Sequence, residues 1–311
     1  MNAVVQVNTS AMSRSEWLKC RTTGIGGSDA SVIAGINPYR SAYRLWLEKT
    51  GQVEPAETYS EVTHFGTILE PIVKQEFTAR TGLNIYEPKA LYRSCEYPFM
   101  LADLDGIVSV NGEPCVFEAK TASAYKQSEW EEGIPPEYMM QIQHYMAVTG
   151  FRKSYIAALI GGNHFIYREV SRDDEMIRDI IRMEERFWTE NVLGGIEPVL
   201  DGSKATSEYL DEKYSESDGK SIDLPHEMLD LCENIEMLTA KIGELETEKN
   251  AAVNRIKGFM KEAETGHIGN HKVTWKSVSS WRLDSKKLKA DHPDIYREYV
   301  KQTSYRRFAL T

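Results

Sequence analysis

Two carboxylates and a lysine, Asp105, Glu118 and Lys120, lie on either side of the dipeptide Asn111-Gly112. Asn-Gly is the strongest short-range signal for a two-residue hairpin turn, and the runs Phe99 to Val110 and Val116 to Lys120 read as its strands. Pairing through that turn sets Asp105 opposite Glu118 and Asp103 opposite Lys120. Alternation along a strand then puts all four side chains on one face, with opposed Cβ atoms roughly 5 Å apart. Carboxylates so close repel one another until a hard divalent cation sits between them. Mg²⁺ takes one or two carboxylates and keeps its other positions for water and phosphate oxygens. A lysine beside such an ion can orient or deprotonate a water, or hold a phosphate. This is equipment for hydrolysing a phosphodiester. The same residues also suit an ordinary exposed hairpin with a charged face, and Pro114 can add a bulge that spoils the Asp103–Lys120 pairing.

The elements around the hairpin carry further polar groups. Gly24-Ile-Gly-Gly-Ser28 runs into Asp29-Ala-Ser-Val-Ile-Ala, so Ser28 is expected to cap a helix whose first N–H groups form an anion site. The third glycine of a dinucleotide fingerprint is missing at position 29. Arg21, just upstream, can give a phosphate a bidentate contact. Gly66 to Phe77 reads as a helix with Ile68, Leu69, Ile72, Val73 and Phe77 on its apolar side and Glu70 outside that stripe. Pro135-Pro136 can open a helix that closes near Gly150, on which Gln141 and Tyr145 share a face one turn apart.

Four blocks in this order resemble the phage lambda exonuclease and viral recombinase (YqaJ-type) branch of the PD-(D/E)XK nuclease superfamily. They are Trp17-Leu-Lys-Cys-Arg21-Thr-Thr-Gly-Ile-Gly-Gly-Ser28, Gly66-Thr-Ile-Leu-Glu70, Ala102-Asp-Leu-Asp105-Gly106 with Glu118-Ala-Lys120, and Tyr138-Met-Met-Gln141-Ile-Gln-His-Tyr145. The resemblance covers about Trp17 to Val170. It implies a Mg²⁺-dependent exodeoxyribonuclease, with Mn²⁺ as a substitute, that digests linear duplex DNA 5′ to 3′. Asp105, Glu118, Glu70 and the Ala119 carbonyl would bind metal, and Lys120 would position the attacking water. Gln141 would complete the catalytic set, Arg21 and Ser28 would hold the 5′-phosphate, and Tyr145 would support the lysine and the DNA. A ring-shaped homotrimer and a single-strand annealing recombinase partner are implied as well. Leu104 departs from the family, where a small residue or proline commonly precedes the aspartate, and the role of Asp103 is open. Two other readings stay open: an endonuclease of the same superfamily, and a non-catalytic module that binds DNA ends or a recombinase.

Composition is compatible with this and decides little. A chain of 311 residues, 41% hydrophobic, can bury a full core and carry an appendage. No apolar run reaches transmembrane length and no signal-peptide pattern opens the chain, so a cytoplasmic protein of a bacterial host, phage or prophage encoded, is expected. Four scattered cysteines without C-x-x-C argue against zinc, an iron–sulfur cluster and disulfides. The net charge of −10 is uneven: from Lys272 onward ten Lys and Arg face four Asp and Glu, leaving a basic tail behind an acidic body.

Strands near Ile85–Tyr92, Phe99–Val110, Val116–Thr121, Ser154–Ile160 and Phe165–Val170 predict one mixed sheet. Helices near Ser28, Ser41–Thr50, Thr67–Thr81, Pro136–Val148 and Asp173–Leu193 flank it, which makes a layered α/β fold. Asp201 to Asp223 reads as a linker, with a nuclease domain over residues 1–215 and a helical region plus small basic domain over 216–311. In the latter, Met228, Leu231, Ile235, Leu238, Ile242, Leu245, Ala252, Ile256, Phe259 and Ala263 follow a 3-4 alternation interrupted at Lys249. That seam packs on the basic tail or on a partner. Strands over His271–Val278 and Tyr305–Leu310, with a helix near Ser285–Ala290 between them, complete the expectation.

Overall fold

The chain reverses at Asn111-Gly112 with both residues at positive φ, 53° and 86°, as a two-residue type I′ turn requires. The computed structural model describes residues 2–55, 60–301 and 304–310 and divides into two compact units, Met1–Lys213 and Tyr214–Thr311. The strands of the first unit are β1 (Ala3–Asn8), β2 (Ile25–Gly26), β3 (Ile85–Tyr86), β4 (Ala90–Ser94), β5 (Met100–Asp103), β6 (Gly106–Val110), β7 (Glu113–Ala122), β8 (Lys153–Ile160) and β9 (His164–Ser171). Its helices are α1 (Arg14–Arg21), α2 (Gly27–Ile33), α3 (Ala42–Lys49), α4 (Glu61–Thr81), α5 (Gln127–Glu132), α6 (Pro136–Thr149), α7 (Asp174–Arg186) and α8 (Lys204–Lys213). The second unit holds α9 (Met228–Met260), the hairpin β10 (Thr265–Ile268) and β11 (His271–Thr274), α10 (Ser285–Asp291) and α11 (Pro293–Tyr299).

From the turn, β6 and β7 pair antiparallel, from Val110 opposite Glu113 to Gly106 opposite Phe117. Pro114 sits in this ladder without shifting it, and Asp105 lies one step beyond, across from Glu118. The expected pairing of Asp103 with Lys120 does not form. The run Phe99 to Val110 is two strands, broken at Leu104-Asp105, and Asp103 ends β5 in a different sheet, opposite Leu91. The expected strand Ile85–Tyr92 is split in the same way at Pro88, which lacks the N–H a ladder needs, and Lys89 follows at φ 46°.

The single sheet expected is therefore two sheets, ordered β3-β6-β7-β8-β9 and β1-β4-β5-β2. Within the first, β7 and β8 run parallel and the other pairs antiparallel. The chain between β7 and β8 is long enough for a crossover, and α6 supplies it. α6 packs against α2, α7 and strands β4, β5 and β7, burying Ile142, Tyr145, Met146 and Val148. The result is a mixed α/β fold with helices flanking the sheets.

Several local expectations change. Ser60 caps α4, which starts well before Thr67. Only Val73 and Phe77 of the expected apolar side are buried, Phe77 against Phe117 at 4.8 Å between ring centroids, while Ile68 and Ile72 stay exposed. The C-terminal half of α4 covers the sheet, and its N-terminal half runs along an open cleft. Within the expected linker, α8 forms because Tyr209 and Thr206 are buried. Tyr209 lies 5.6 Å from Tyr43 between ring centroids, and the Asp201 carboxylate accepts from Ser203 and Thr206 at the helix start. Two anchors and a cap suffice where composition shows mostly charge. In the second unit β11 stops at Thr274 and pairs with β10, and residues 304–310 are not a strand because no ladder partner meets them. Helix α9 runs unbroken through Gly243, Lys249 and Gly258. Among the described residues, no helix is long and apolar enough to cross a membrane.

Candidate active site

Where the two sheets part at Leu104-Asp105, a cleft of about 340 Å³ opens. Its walls bring together Arg21, Ser28, Glu70, Asp103, Asp105, Glu118, Ala119, Lys120, Gln141 and Tyr145, residues spread over more than a hundred positions of sequence. β7 supplies Glu118, Ala119 and Lys120. The chain break supplies Asp105, whose Oδ2 accepts from the Ala119 N–H at 2.9 Å. That bond holds the aspartate to the neighbouring strand after the regular ladder has stopped.

The centre is a network of buried charge. Lys120 Nζ donates to Glu118 Oε1 at 2.6 Å and to Gln141 Oε1 at 3.0 Å. It also lies 4.9 Å from the Tyr138 ring centroid, a cation–π contact. Gln141 Nε2 donates to Glu118 Oε1 at 2.7 Å and to Tyr145 Oη at 3.1 Å, so the shared helical face of Gln141 and Tyr145 is aimed at Glu118. Glu118 Oε2 is buried with no hydrogen-bond partner among the described residues. Burial, and then Glu118, push the Asp105 carboxyl well above the usual carboxylate range. Burial likewise raises Glu118, with Lys120 opposing. Burial alone would lower Lys120, but Glu118 and Asp105 outweigh it and hold the ammonium above its ordinary pKa. In this arrangement the lysine is a cation and a hydrogen-bond donor.

Two mutually repelling carboxylates, one with an orphaned buried oxygen, fit a hard divalent cation held by Asp105, Glu118 and the Ala119 main chain. Among the described residues no three His, Cys, Asp or Glu side chains stand ready to hold a metal by themselves. Glu70 does line the cleft, but its carboxylate pairs with Lys74 at 2.6 Å one helical turn away. It contributes negative charge to Asp105 and Glu118 rather than converging on them. Asp103, opened by the strand break, accepts from Trp17 Nε1 at 2.6 Å.

The opposite wall departs from expectation. Ser28 is not the cap of α2. Gly26 holds that position, and the Asp29 carboxylate in the first turn accepts from the Gly26 N–H at 3.0 Å. Asp29 thus takes the N–H of the cap residue itself and adds a negative charge to the first turn in which Ser28 lies. Ser28 Oγ instead accepts from Arg21 Nη2 at 2.8 Å, and the Arg21 guanidinium stacks on Trp17 at 4.9 Å. Gly27 must be glycine for a packing reason, since a Cβ there would meet the Tyr145 ring at 2.5 Å.

Sequence reasoning missed the support beneath this wall. Asp29 is fully buried and binds Lys49 at 2.8 Å, Arg40 at 3.1 Å and Arg21 at 3.6 Å. Burial alone would raise its pKa, but the three cations hold it far below the usual range. On α6, His144 places Nδ1 at 2.7 Å from Glu184 and Nε2 at 2.8 Å from the Leu101 carbonyl, tying the helix of Gln141 to α7 and β5. No spacing signals either cluster, since their members come from different elements; Trp17, Asp29 and His144 do fall within or directly beside the four blocks read from sequence.

Residues 16–152 match the YqaJ-like viral recombinase domain. The chain is 46% identical over 312 aligned positions, covering 99% of its length and 97% of the relative, to the uncharacterized protein YqaJ of Bacillus subtilis (strain 168). Among solved structures, LHK-Exo in complex with dAMP superposes with a TM-score of 0.50 at 22% identity, over 64% of this chain and 97% of that one. A second structure, the alkaline exonuclease LHK-Exo from Laribacter hongkongensis, gives 0.49 at 22% identity over the same shares. The shared fold is the PD-(D/E)XK type of the alkaline exonucleases. By sequence along nearly its whole length, the chain belongs to the YqaJ family of YqaJ-like viral recombinase proteins.

Proposed function

We propose that this chain is a Mg²⁺-dependent deoxyribonuclease that digests linear duplex DNA from its ends, 5′ to 3′, and leaves a 3′ single strand for an annealing recombinase. Family and fold support a nuclease role. The single observation that carries the reading is the buried Asp105–Glu118–Lys120–Gln141 network, with an unpartnered carboxylate oxygen, in the same cleft as Arg21 and Ser28. A binding module has no use for carboxylates that destabilise one another. The dAMP held by LHK-Exo is a deoxynucleoside monophosphate, the kind of product such a reaction releases.

Asp105, Glu118 and the Ala119 carbonyl would hold the metal, which when bound supplies Lewis-acid stabilisation of charge on the phosphate. Lys120, fixed between Glu118 and Gln141, donates a hydrogen bond to the attacking water and orients it. Gln141 keeps Glu118 Oε1 and Lys120 in register and is in turn braced by Tyr145. Arg21, oriented by Trp17 and Ser28, presents its guanidinium to the terminal 5′-phosphate. Asp103, Asp105, Glu118 and Glu70 line the cleft with acid, and a bound cation would offset their repulsion of the phosphates.

The test is digestion of linear duplex labelled at either end, with and without 5′-phosphate, in Mg²⁺ or EDTA, beside a circular duplex. The expected result is Mg²⁺-dependent release of the 5′ label, favoured by a 5′-phosphate, with the circle untouched. Cleavage of the circle would replace the exonuclease by an endonuclease, and no cleavage of any substrate would overturn the reading.

A further inference from the structure

Within the second unit, α9 is 33 residues long, and the unit has no buried residue among those described. A helix about 50 Å long is not held by propensity alone; an amphipathic face normally needs something to pack on. On α9 that face is intact and open. Leu231, Ile235, Leu238, Ile242, Leu245 and Ile256 are 39% to 56% exposed, and the basic tail of the unit leaves them uncovered.

The residue types along this face state what covers it. Counted in heptads, the a positions are Met228, Ile235, Ile242, Lys249 and Ile256, and the d positions are Leu231, Leu238, Leu245, Ala252 and Phe259. β-branched residues at a with Leu at d favour two parallel strands, and a single polar a residue fixes register and strand number at some cost in stability. Lys249 acts more strongly against higher orders, since three or four ammonium groups would converge where two can still splay toward the flanking Glu248. The outer positions agree. In a parallel, in-register pair, Lys241 at g meets Glu246 of the second copy at e, twice by symmetry. The other g and e positions, Asn234 with Thr239, Glu248 with Val253 and Arg255 with Met260, bring no like charges together.

We propose that α9 pairs with the α9 of a second copy of this chain as a parallel, in-register, two-stranded coiled coil. The pairing is separate from whatever contacts the nuclease units make with each other, including the three-fold ring that family resemblance implies. It gives every nuclease unit a tethered neighbour, which raises the local concentration of a second site on bound DNA.

The experiment uses the full chain in a background with Cys95→Ser and Cys232→Ser. Ile242→Cys places a thiol at an a position, where a parallel pair brings it against its own copy, and mild oxidation should give a disulfide-linked species of twice the chain mass. Ala240→Cys, at the outer f position, should not. In sedimentation equilibrium the double variant Leu238→Asp with Ile242→Asp should show an assembly mass at least twofold lower than wild type. Absence of the cross-link in the Ile242→Cys variant, cross-linking equally strong in Ala240→Cys, or an unchanged assembly mass would overturn the proposal. An antiparallel pair, a different protein on the seam, or the chain's own nuclease unit folded over it would each produce one of those results.

Discussion

Replacing Asp105 by asparagine should make the protein more stable and catalytically inert at once. The carboxylate is buried beside Glu118, and burial followed by the Glu118 charge raises its pKa well above the ordinary value. A group whose folded pKa exceeds its unfolded one costs stability wherever it is forced to ionise, so the native state loses stability as pH rises through that interval. Asparagine removes the charge and keeps an oxygen for the Ala119 N–H, which Asp105 now accepts at 2.9 Å. Two like charges about 6 Å apart at an effective dielectric of ~20 repel by roughly 3 kcal/mol. Lys120, bound to Glu118, offsets part of this, leaving a gain on the order of 1–2 kcal/mol, or roughly 2–8 °C in the melting midpoint of a unit this size.

The assay is thermal denaturation in EDTA from mildly acidic to neutral pH, repeated with Mg²⁺. In EDTA, Asp105→Asn should melt above wild type at neutral pH, and the two should converge as acid protonates Asp105. With Mg²⁺ at about a hundred times its Kd the wild type should gain roughly 2.7 kcal/mol, because only the folded state binds the ion. The variant should lose most of that gain, together with nuclease activity. A variant less stable than wild type in EDTA, or one that keeps the full Mg²⁺ response, would refute the idea that electrostatic stress is stored at this site for a cation.

Lys120→Ala should lower single-turnover cleavage by roughly 10²–10⁴-fold, and Lys120→Arg should not restore it, because a planar guanidinium does not fit the point-charge position between Glu118 and Gln141. Near-normal rates in Lys120→Arg would mean that charge alone suffices. Arg21→Ala should cut the preference for 5′-phosphorylated over 5′-hydroxyl ends by about tenfold to somewhat over a hundredfold, the worth of a charge-assisted contact of roughly 1.5–3 kcal/mol; equal wild-type rates on both ends would remove the phosphate pocket. Asp29→Asn should destabilise the fold by about 3–5 kcal/mol at neutral pH, since it strands the buried Lys49 charge. Because Asp29 has a depressed folded pKa, its contribution is present above the unfolded carboxylate value and fades as pH falls below it, so wild type and variant should converge in strong acid by chemical denaturation. A loss under 1 kcal/mol would mean the cluster is not a support.

How much can be read from sequence follows from how local each feature is. Asp105, Glu118 and Lys120 are legible because a two-residue turn fixes register over the next few pairs, and Gln141 with Tyr145 because helical spacing fixes their face. The break at Leu104-Asp105 is not legible, since continuous apolar residues hide where one sheet hands the chain to another. Simple alternation thus sets Asp103 opposite Lys120, when its partner is Trp17, 86 positions away. The motif directs Glu70 to the cleft, which it does line, but says nothing of its i,i+4 ion pair with Lys74. The cap expected at Ser28 lies two residues earlier, at Gly26, whose N–H is taken by the Asp29 carboxylate of the first turn. Tyr209 shows the limit of composition, because one aromatic anchor turns a charged stretch into a helix.

The corrected wall makes a stronger case for Arg21 than an open helix terminus would. Asp29 pairs with Lys49 at 2.8 Å, Arg40 at 3.1 Å and Arg21 at 3.6 Å, and Lys49 followed by Arg21 do most to hold it ionised, Arg40 being shared with Glu48. The Asp29 cluster therefore carries more positive than negative charge, and Arg21 is its member that also lines the catalytic cleft. Its direction is set by Trp17 and Ser28 rather than by a tight ion pair, so little ordering is left for a phosphate to impose. Trp17 and Ser28 thus aim the guanidinium on which the proposed choice of DNA end depends, and the Asp29 cluster behind it supplies surplus positive charge.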